Sequence, residues 1–313
     1  MTDIPGFEFI PYQSAYRSDF ARLNIDWLEE FFVVEPIDEL VLHNPEDYIL
    51  NKGGDIFFAL KDGQAVGTVA MKATDRTGVF ELTKLGVDKS CQGAGVGEAL
   101  CQMVFDRFIE VGGALLFLET NTKLQPAIRL YKRLDFVEKP LPSDTPYERA
   151  NYYMEWQGAG LTIHSATSRR DIAIVRDFFQ EYAHWLEAET GLSLAFQGFE
   201  EEMAGFPSKY ETLLLAKYNS RPVGAVALLK HDDAVCEMKR LFVTPSGWGK
   251  SVGKHLSVAV MEEARQRGFT VMLLDSLRRL ENAVALYRAL GFEETDPYNE
   301  NPEADVVYMK RDL

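Results

Sequence analysis

The chain has 313 residues, enough for two domains of ordinary size, and its 46% hydrophobic and 26% charged residues can bury a core, which excludes wholesale disorder. Its 48 acids outnumber 33 bases for a net charge of −15, with 25 acids against 15 bases in residues 1–157 and 23 against 18 in the remainder; this disfavours a nucleic-acid partner and reads mainly as a solvated surface. No apolar run approaches the roughly 20 residues a membrane span needs, and the three cysteines (Cys91, Cys101, Cys236) are too few for a disulfide frame, so a reducing, cytoplasmic compartment is expected.

In chain order, the first ten residues carry Asp3 and Glu8 and no basic stretch, so no secretory signal is expected there. The apolar spacing of Phe20, Leu23, Ile25, Trp27, Leu28 and Phe31 predicts a helix over Ser18–Phe32. Strands are expected at Ile56–Leu60 and Ala65–Ala73, joined by a hairpin turn at Asp62-Gly63, and at Phe80–Val87. A glycine-rich loop then leads into an amphipathic helix, Gly97–Val111, stopped by Gly112-Gly113. A strand at Ala114–Glu119, a short helix at Pro126–Leu134 with proline in its first turn, and a strand at Asn151–Trp156 follow. The layout is α+β: antiparallel hairpins ahead of one strand–loop–helix–strand unit.

The order then starts again. At an offset of 156 positions, Glu81-Leu-Thr-Lys-Leu-Gly-Val87 falls on Glu237-Met-Lys-Arg-Leu-Phe-Val243. In the same register Gly93, Val96, Gly97 and Leu100 fall on Gly249, Val252, Gly253 and Leu256. Ala127-Ile-Arg-Leu-Tyr-Lys-Arg-Leu-Asp-Phe136 falls on Ala283-Val-Ala-Leu-Tyr-Arg-Ala-Leu-Gly-Phe292. A domain-sized period of this kind marks duplication, with one copy at 1–157 and the other at 158–313. Gln157-Gly-Ala-Gly160 reads as the joint, Leu161–Ser165 as the next opening strand, and Val306–Lys310 as the last strand.

The loop Gln92-Gly93-Ala94-Gly95-Val96-Gly97 sits between a strand and a helix. Glycine permits unusual backbone angles and close ligand approach, and the first-turn amides of a helix have no internal partner, so the loop suits a phosphate or pyrophosphate. Neither copy has the Gly-x4-Gly-Lys-Ser/Thr of a nucleotide P-loop. A Rossmann turn fits poorly: Glu98 stands where the third glycine would be, the loop starts five residues beyond Val87, and the unit comes late in each copy.

Gln92-x-x-Gly95-x-Gly97, with the strand before it, the helix after it and the later Leu-Tyr-x4-Phe, resembles the acetyl-CoA signature of the GNAT acyltransferases, twice over. The resemblance implies two domains, each with a mixed, mostly antiparallel sheet whose central strand pair is splayed and flanked by helices. It implies acetyl-CoA as acyl donor, with pyrophosphate on Gln92, Gly93, Ala94, Gly95, Val96 and Gly97, and on Trp248, Gly249, Lys250, Ser251, Val252 and Gly253. The pantetheine arm would pair with Leu85, Gly86 and Val87, and with Leu241, Phe242 and Val243. The copies depart from the pattern differently. Copy one has Asp135 before Phe136 where glycine is usual, whereas copy two has Trp248 for Gln/Arg and Ser251 for the first glycine. A Cβ at Ser251 is expected to strain the loop. Copy one is therefore the firmer cofactor site, and whether copy two is weaker, altered or degenerate stays open.

The implied activity is N-acetyl transfer to an amine, by direct attack in a ternary complex. A small-molecule amine is the first expectation and a protein lysine or N-terminus the second. No nucleic acid or membrane partner is expected, and a homodimer is an open option. A non-catalytic acyl-CoA-binding module is the competing class. An aliphatic ammonium of pKa ~10.4 costs about 4–5 kcal/mol to deprotonate at pH 7, and the leaving thiolate benefits from a proton. By position, Glu81 and Glu237 resemble the family's water-linked base, and Tyr131 and Tyr287 its general acid. Strand alternation is expected to put Glu81, Thr83, Leu85 and Val87 on one face. Lys239, Arg240, Arg278 and Arg279 read as a basic cluster near the second site. The five histidines show no metal spacing, and no metal is expected. Acceptor specificity is expected from the regions around Trp27–Pro36 and Trp185–Phe206, with the turns at 143–146 and 299–302 as further walls.

Overall fold

The structure is a computed structural model that describes residues 4–143, 145–191, 198–299, 301 and 303–313, so parts of the expected acceptor loops (144, 192–197, 300 and 302) lie outside the described residues. The chain divides into two compact units, Met1–Ala159 and Gly160–Leu313.

The first unit runs β1 (Glu8–Pro11), α1 (Arg17–Phe31), α2 (Pro36–His43), α3 (Pro45–Tyr48), β2 (Asp55–Lys61), β3 (Gln64–Ala73), β4 (Val79–Val87), α4 (Val96–Glu110), β5 (Leu115–Thr120), α5 (Gln125–Arg133), β6 (Phe136–Lys139) and β7 (Tyr152–Trp156). Its sheet has the order β1-β2-β3-β4-β5-β7-β6. Neighbours are antiparallel except β4 and β5, which run parallel because α4 crosses between them. Asp62 (φ 51°) and Gly63 (φ 76°) make the left-handed turn that joins β2 to β3.

The sheet is covered on both faces. On one, α4 lays Val96, Leu100, Val104, Phe105 and Phe108 against Leu82, Leu116 and Met154, and Phe105 stacks on Trp156 at 4.3 Å. On the other, α1 and α2 bring Phe20, Leu28, Val41 and Leu42 against Ile56, Phe58 and Ala70. Burying one such side chain contributes about 1.5–3 kcal/mol, so the two layers supply the driving force for each sheet. Close approach sets one residue: a Cβ at Gly86 would lie 2.5 Å from the Leu23 carbonyl oxygen, so α1 can rest on β4 only where glycine stands.

The second unit repeats the plan with β8 (Leu161–Ser165), α6 (Arg169–Thr190), α7 (Phe199–Ala204), β9 (Thr212–Tyr218), β10 (Arg221–Lys230), β11 (Val235–Val243), α8 (Val252–Gln266), β12 (Val271–Leu277), α9 (Glu281–Ala289), β13 (Glu293–Glu294) and β14 (Val306–Asp312). Its order is β13-β14-β12-β11-β10-β9-β8, with β11 and β12 the parallel pair. Helix α8 packs Val252, Leu256, Val260 and Ala264 on one face, and α6 packs Val175 and Phe179 on the other.

The strand before each glycine loop breaks the expected alternation. Thr83 faces Ala70 and Gly86 faces Thr68, so Lys84 and Leu85 together oppose Val69. In the second unit Arg240 and Leu241 together oppose Val226. Each is a β-bulge, with Lys84 (φ 55°) and Arg240 (φ 58°) in the left-handed region. The extra residue shifts the side-chain period by one. Leu82, Leu85 and Val87 therefore point toward α4, while Lys84 and Gly86 face α1 and α2. The expectation that Glu81, Thr83, Leu85 and Val87 share one face is corrected: a bulge between Thr83 and Leu85 separates them.

Candidate functional site

Both loops have the same backbone. Gly93 (φ 82°) and Gly95 (φ 85°) lead into α4, and Gly249 (φ 74°) and Ser251 (φ 57°) lead into α8. Ser251 thus holds the left-handed conformation that the serine makes costly, and its side chain makes no capping hydrogen bond. At Gly93 and Gly249 nothing stands within 4 Å of where a Cβ would lie, so the glycine faces are open. The first-turn amides behind them have no partner inside the helix and carry the positive end of its dipole.

Gln92 and Trp248 do the same job. The Gln92 side-chain amide donates to the Val87 carbonyl at 3.2 Å, and the Trp248 indole N–H donates to the Val243 carbonyl at 3.0 Å. The substitution that looked like a departure in sequence keeps the bond that ties the loop to the strand end.

The parallel strands separate as they approach these loops. Pairing of β4 with β5 covers Val79–Glu81 on Leu115–Phe117, and pairing of β11 with β12 covers Val235–Glu237 on Val271–Leu273. Among the described residues, past the bulges Gly86 and Val87 pair only with β3, and Phe242 and Val243 only with β10. In the second unit the opening is a cleft of about 340 Å³. Leu241, Phe242, Val243, Trp248 and Gly253 line it from the loop side, and Tyr287 lines it from α9. Glu237, Gly249, Lys250, Ser251 and Val252 are not in its lining.

Tyr131 and Tyr287 occupy matching places. Each is largely buried, at 7% and 8% exposure, and meets the phenylalanine of its motif edge-on, Phe136 at 5.7 Å and Phe292 at 6.1 Å. Burial pushes both phenols well above the ordinary tyrosine value, so both are protonated at neutral pH. A neutral phenol can donate a hydrogen bond to a developing thiolate. The raised pKa also makes complete proton transfer from it less favourable.

The two glutamates differ. Glu81 is 5% exposed, with Lys72 at 3.6 Å. Glu237 is 1% exposed and accepts from His231 Nε2 at 3.0 Å, Lys239 Nζ at 2.8 Å and the Tyr298 hydroxyl at 3.0 Å. Burial alone would raise this carboxyl, but the bonds from His231, Lys239 and Tyr298 overcome it and hold it at about 2. Such a carboxylate is a fixed anion and a poor proton acceptor. Its partner His231 is raised above 6.5, first by the Glu237 bond.

The bulges carry charged groups whose acidic partners local sequence reading missed. Lys84 Nζ meets Asp38 at 2.7 Å, and Arg149 meets the same carboxylate at 2.6 and 3.0 Å, with the Asp38 side chain fully buried. Asp38 is also the third helical residue of the capping box that starts α2 at Glu35. Burial would raise Asp38, yet Lys84 and Arg149 hold it below the usual carboxylate range. Burial draws Lys84 below the ordinary lysine value, with a smaller push from the Arg149 charge, although Asp38 and Glu81 oppose it. In the second unit Arg240 meets Glu202 of α7 at 3.2 Å, and Lys209 and Tyr210 bond the same carboxylate. The paired cations were visible in the repeat register as Lys84 over Arg240; their acids were not.

The four cations of the expected basic cluster are each engaged by an acid. Arg240 is buried and Lys239 half-buried on the strand, whereas Arg278 and Arg279 are exposed and paired with Glu294 (2.7 Å) and Glu303 (3.4 Å). The three cysteines are buried thiols. Among the described residues, no His, Cys, Asp or Glu group could hold a metal, and no helix is long and apolar enough to cross a membrane.

A family model described as Acetyltransferase (GNAT) family matches residues 20–136 and again 174–292. An uncharacterized N-acetyltransferase of Schizosaccharomyces pombe is 32% identical over 161 residues, covering 50% of this chain and 96% of that protein. One of Dictyostelium discoideum is 27% identical over 205 residues, covering 44% of this chain and 93% of that protein. Among solved structures, a GNAT-family acetyltransferase of Staphylococcus aureus Mu50 is 24% identical, covers 48% of this chain and 98% of its own, and gives a TM-score of 0.45.

Proposed function

Since this chain belongs to the GNAT acetyltransferase family in both of its halves, we propose that it moves an acetyl group from acetyl-CoA to the amine of a small molecule, by direct attack in a ternary complex. One observation carries the reading: a single cleft in the second unit brings the freed edge of β11, the loop side chain Trp248 and the protonated phenol of Tyr287 together.

The residues suit the donor. The open glycine faces at Gly93 and Gly249, backed by the unpaired first-turn amides of α4 and α8, would hold its pyrophosphate. Leu85, Gly86 and Val87, and Leu241, Phe242 and Val243, would pair with its pantetheine arm. When bound, the thioester supplies an activated acetyl carbon. The bulge takes Arg240 and Leu241 out of one-to-one pairing with β10, and the strand amide it releases is the donor we assign to the carbonyl oxygen as charge gathers there. Tyr287, and Tyr131 in the first unit, donate to the sulfur as it leaves. Glu237, held near 2, orders Lys239 and Tyr298 and does not take the amine proton itself. Water or the bulk solvent removes it, at the cost of about 4–5 kcal/mol for an ordinary ammonium. Glu81 lacks that triple bonding and remains the candidate water-linked base of the first unit.

Titration calorimetry of the whole chain with acetyl-CoA, followed by an amine panel read as thiol release, tests this. We expect two coenzymes per chain. Tyr287→Phe and Tyr131→Phe should each keep coenzyme affinity and lose on the order of 10²-fold in kcat for the unit they serve. Full turnover in the double variant, or no coenzyme bound by either unit, would end the assignment.

A further inference from the structure

Within the cleft of the second unit one carboxylate stands among rings. Asp275, on β12, is the acid in the lining, and its side chain is 15% exposed. Among the described residues its charge is met only loosely: Lys239 Nζ is 3.8 Å away, having turned to Glu237 at 2.8 Å, and the Asn301 amide is at 3.5 Å. The other cation of the lining, Arg240, is engaged by Glu202. Neither cation is therefore offered to an incoming anion.

The rings lie close by. Tyr182 and Trp185 of α6 line the same cleft, stacked at 6.3 Å and 26°, and Tyr182 meets Phe242 at 6.0 Å. Burial raises the phenols of Tyr182, Tyr287, Tyr298 and Tyr308, and the nearby Asp275 charge adds to each in the same direction. Asp275 shares the cleft lining with Tyr182 and Tyr287 and is the register partner of Tyr308 on β14. An aromatic face attracts a cation through its quadrupole, and a partly desolvated carboxylate strengthens that attraction.

We infer that Asp275, with Tyr182 and Trp185, selects a cationic acceptor: an aliphatic or arylalkyl ammonium with no carboxylate beside its amine. This rests on the acceptor being bound in the cleft proposed above. A carboxylate next to the amine would meet Asp275 as a like charge, whereas a plain ammonium meets it as an ion pair over aromatic walls. In the first unit the matching position is Glu119, which accepts from Thr145 Oγ1 at 2.5 Å, so the two units present different floors.

The test uses a cation and its neutral isostere on the full chain: choline against 3,3-dimethylbutan-1-ol, by titration calorimetry in saturating CoA. Choline should bind at least tenfold tighter, and Asp275→Asn should erase the difference while leaving CoA affinity unchanged. In the turnover assay, 2-phenylethylamine should exceed phenylalanine by tenfold or more. Equal binding of choline and the alcohol to the unmodified chain, or a preference that survives Asp275→Asn, overturns the inference. Loss of coenzyme binding by the unmodified chain would instead remove the transferase reading, whatever the cation result.

Discussion

Replacing Asp38 by asparagine removes the buried anion shared by the buried Lys84 and the half-buried Arg149. The Asp38 side chain is fully covered, and those of Lys84 and Arg149 are 4% and 17% exposed, so solvent replaces little of the lost charge. Removing one partner of a buried pair costs about 3–5 kcal/mol, mainly because the remaining charge is stranded. Arg149 keeps Glu35 at 3.0 Å, which places the expected loss toward the lower end, about 3 kcal/mol. A further cost falls on α2, whose capping box uses the same carboxylate. Urea unfolding of the full chain, with hydrogen exchange of the β4 and α2 amides read by mass spectrometry, localises the effect to the first unit. The variant D38L/K84M removes both charges together and should recover most of the loss, because apolar groups of similar volume pack without a desolvation cost. If Asp38→Asn costs under 1 kcal/mol, or if the double variant is worse than the single one, the bulge is not held by this ion cluster and the reasoning fails.

Ser251→Gly should relieve a left-handed serine that makes no cap bond, a gain of about 0.5–1 kcal/mol after the extra entropy of glycine, read in urea unfolding of the second unit; Gly95→Ser should do the reverse in the first. Trp248→Gln should leave CoA affinity within about twofold, since either side chain can reach the Val243 carbonyl, whereas Trp248→Ala should weaken it by about 1 kcal/mol in the same calorimetry. The Glu237 carboxyl is lowered from 4.5 to about 2, so its stabilisation is fully present above pH 4.5 and is lost as pH falls toward 2; by linkage about 3 kcal/mol is at stake. His231 is raised above 6.5, so its share of the same bond is present below 6.5 and lost as pH rises through the folded value, and His231→Gln should remove that alkaline-side loss from pH-dependent melting of the second unit.

Much of the architecture was legible in the residues because it is local. The apolar spacing from Phe20 to Phe31, the Asp62-Gly63 turn and the glycines at 93 and 95 each encode the conformation of their own segment, and the register of 156 positions carried those signals from one unit to the other. What local pattern cannot hold is pairing across distance. One extra residue at Lys84 or Arg240 turns the rest of its strand over, and nothing in a hydrophobic alternation marks it. Asp38 stands 46 positions before Lys84, and Glu202 stands 38 before Arg240, so the two acids do not fall together at the offset of 156. Trp248 looked like a lost glutamine until its indole N–H was seen to reach the Val243 carbonyl, and Asp275 was one strand acid among many until the parting of β11 and β12 opened a cleft beside it. Backbone preference is written residue by residue, whereas the meeting of charges in a closed interior exists only once the strands have paired and water has been excluded.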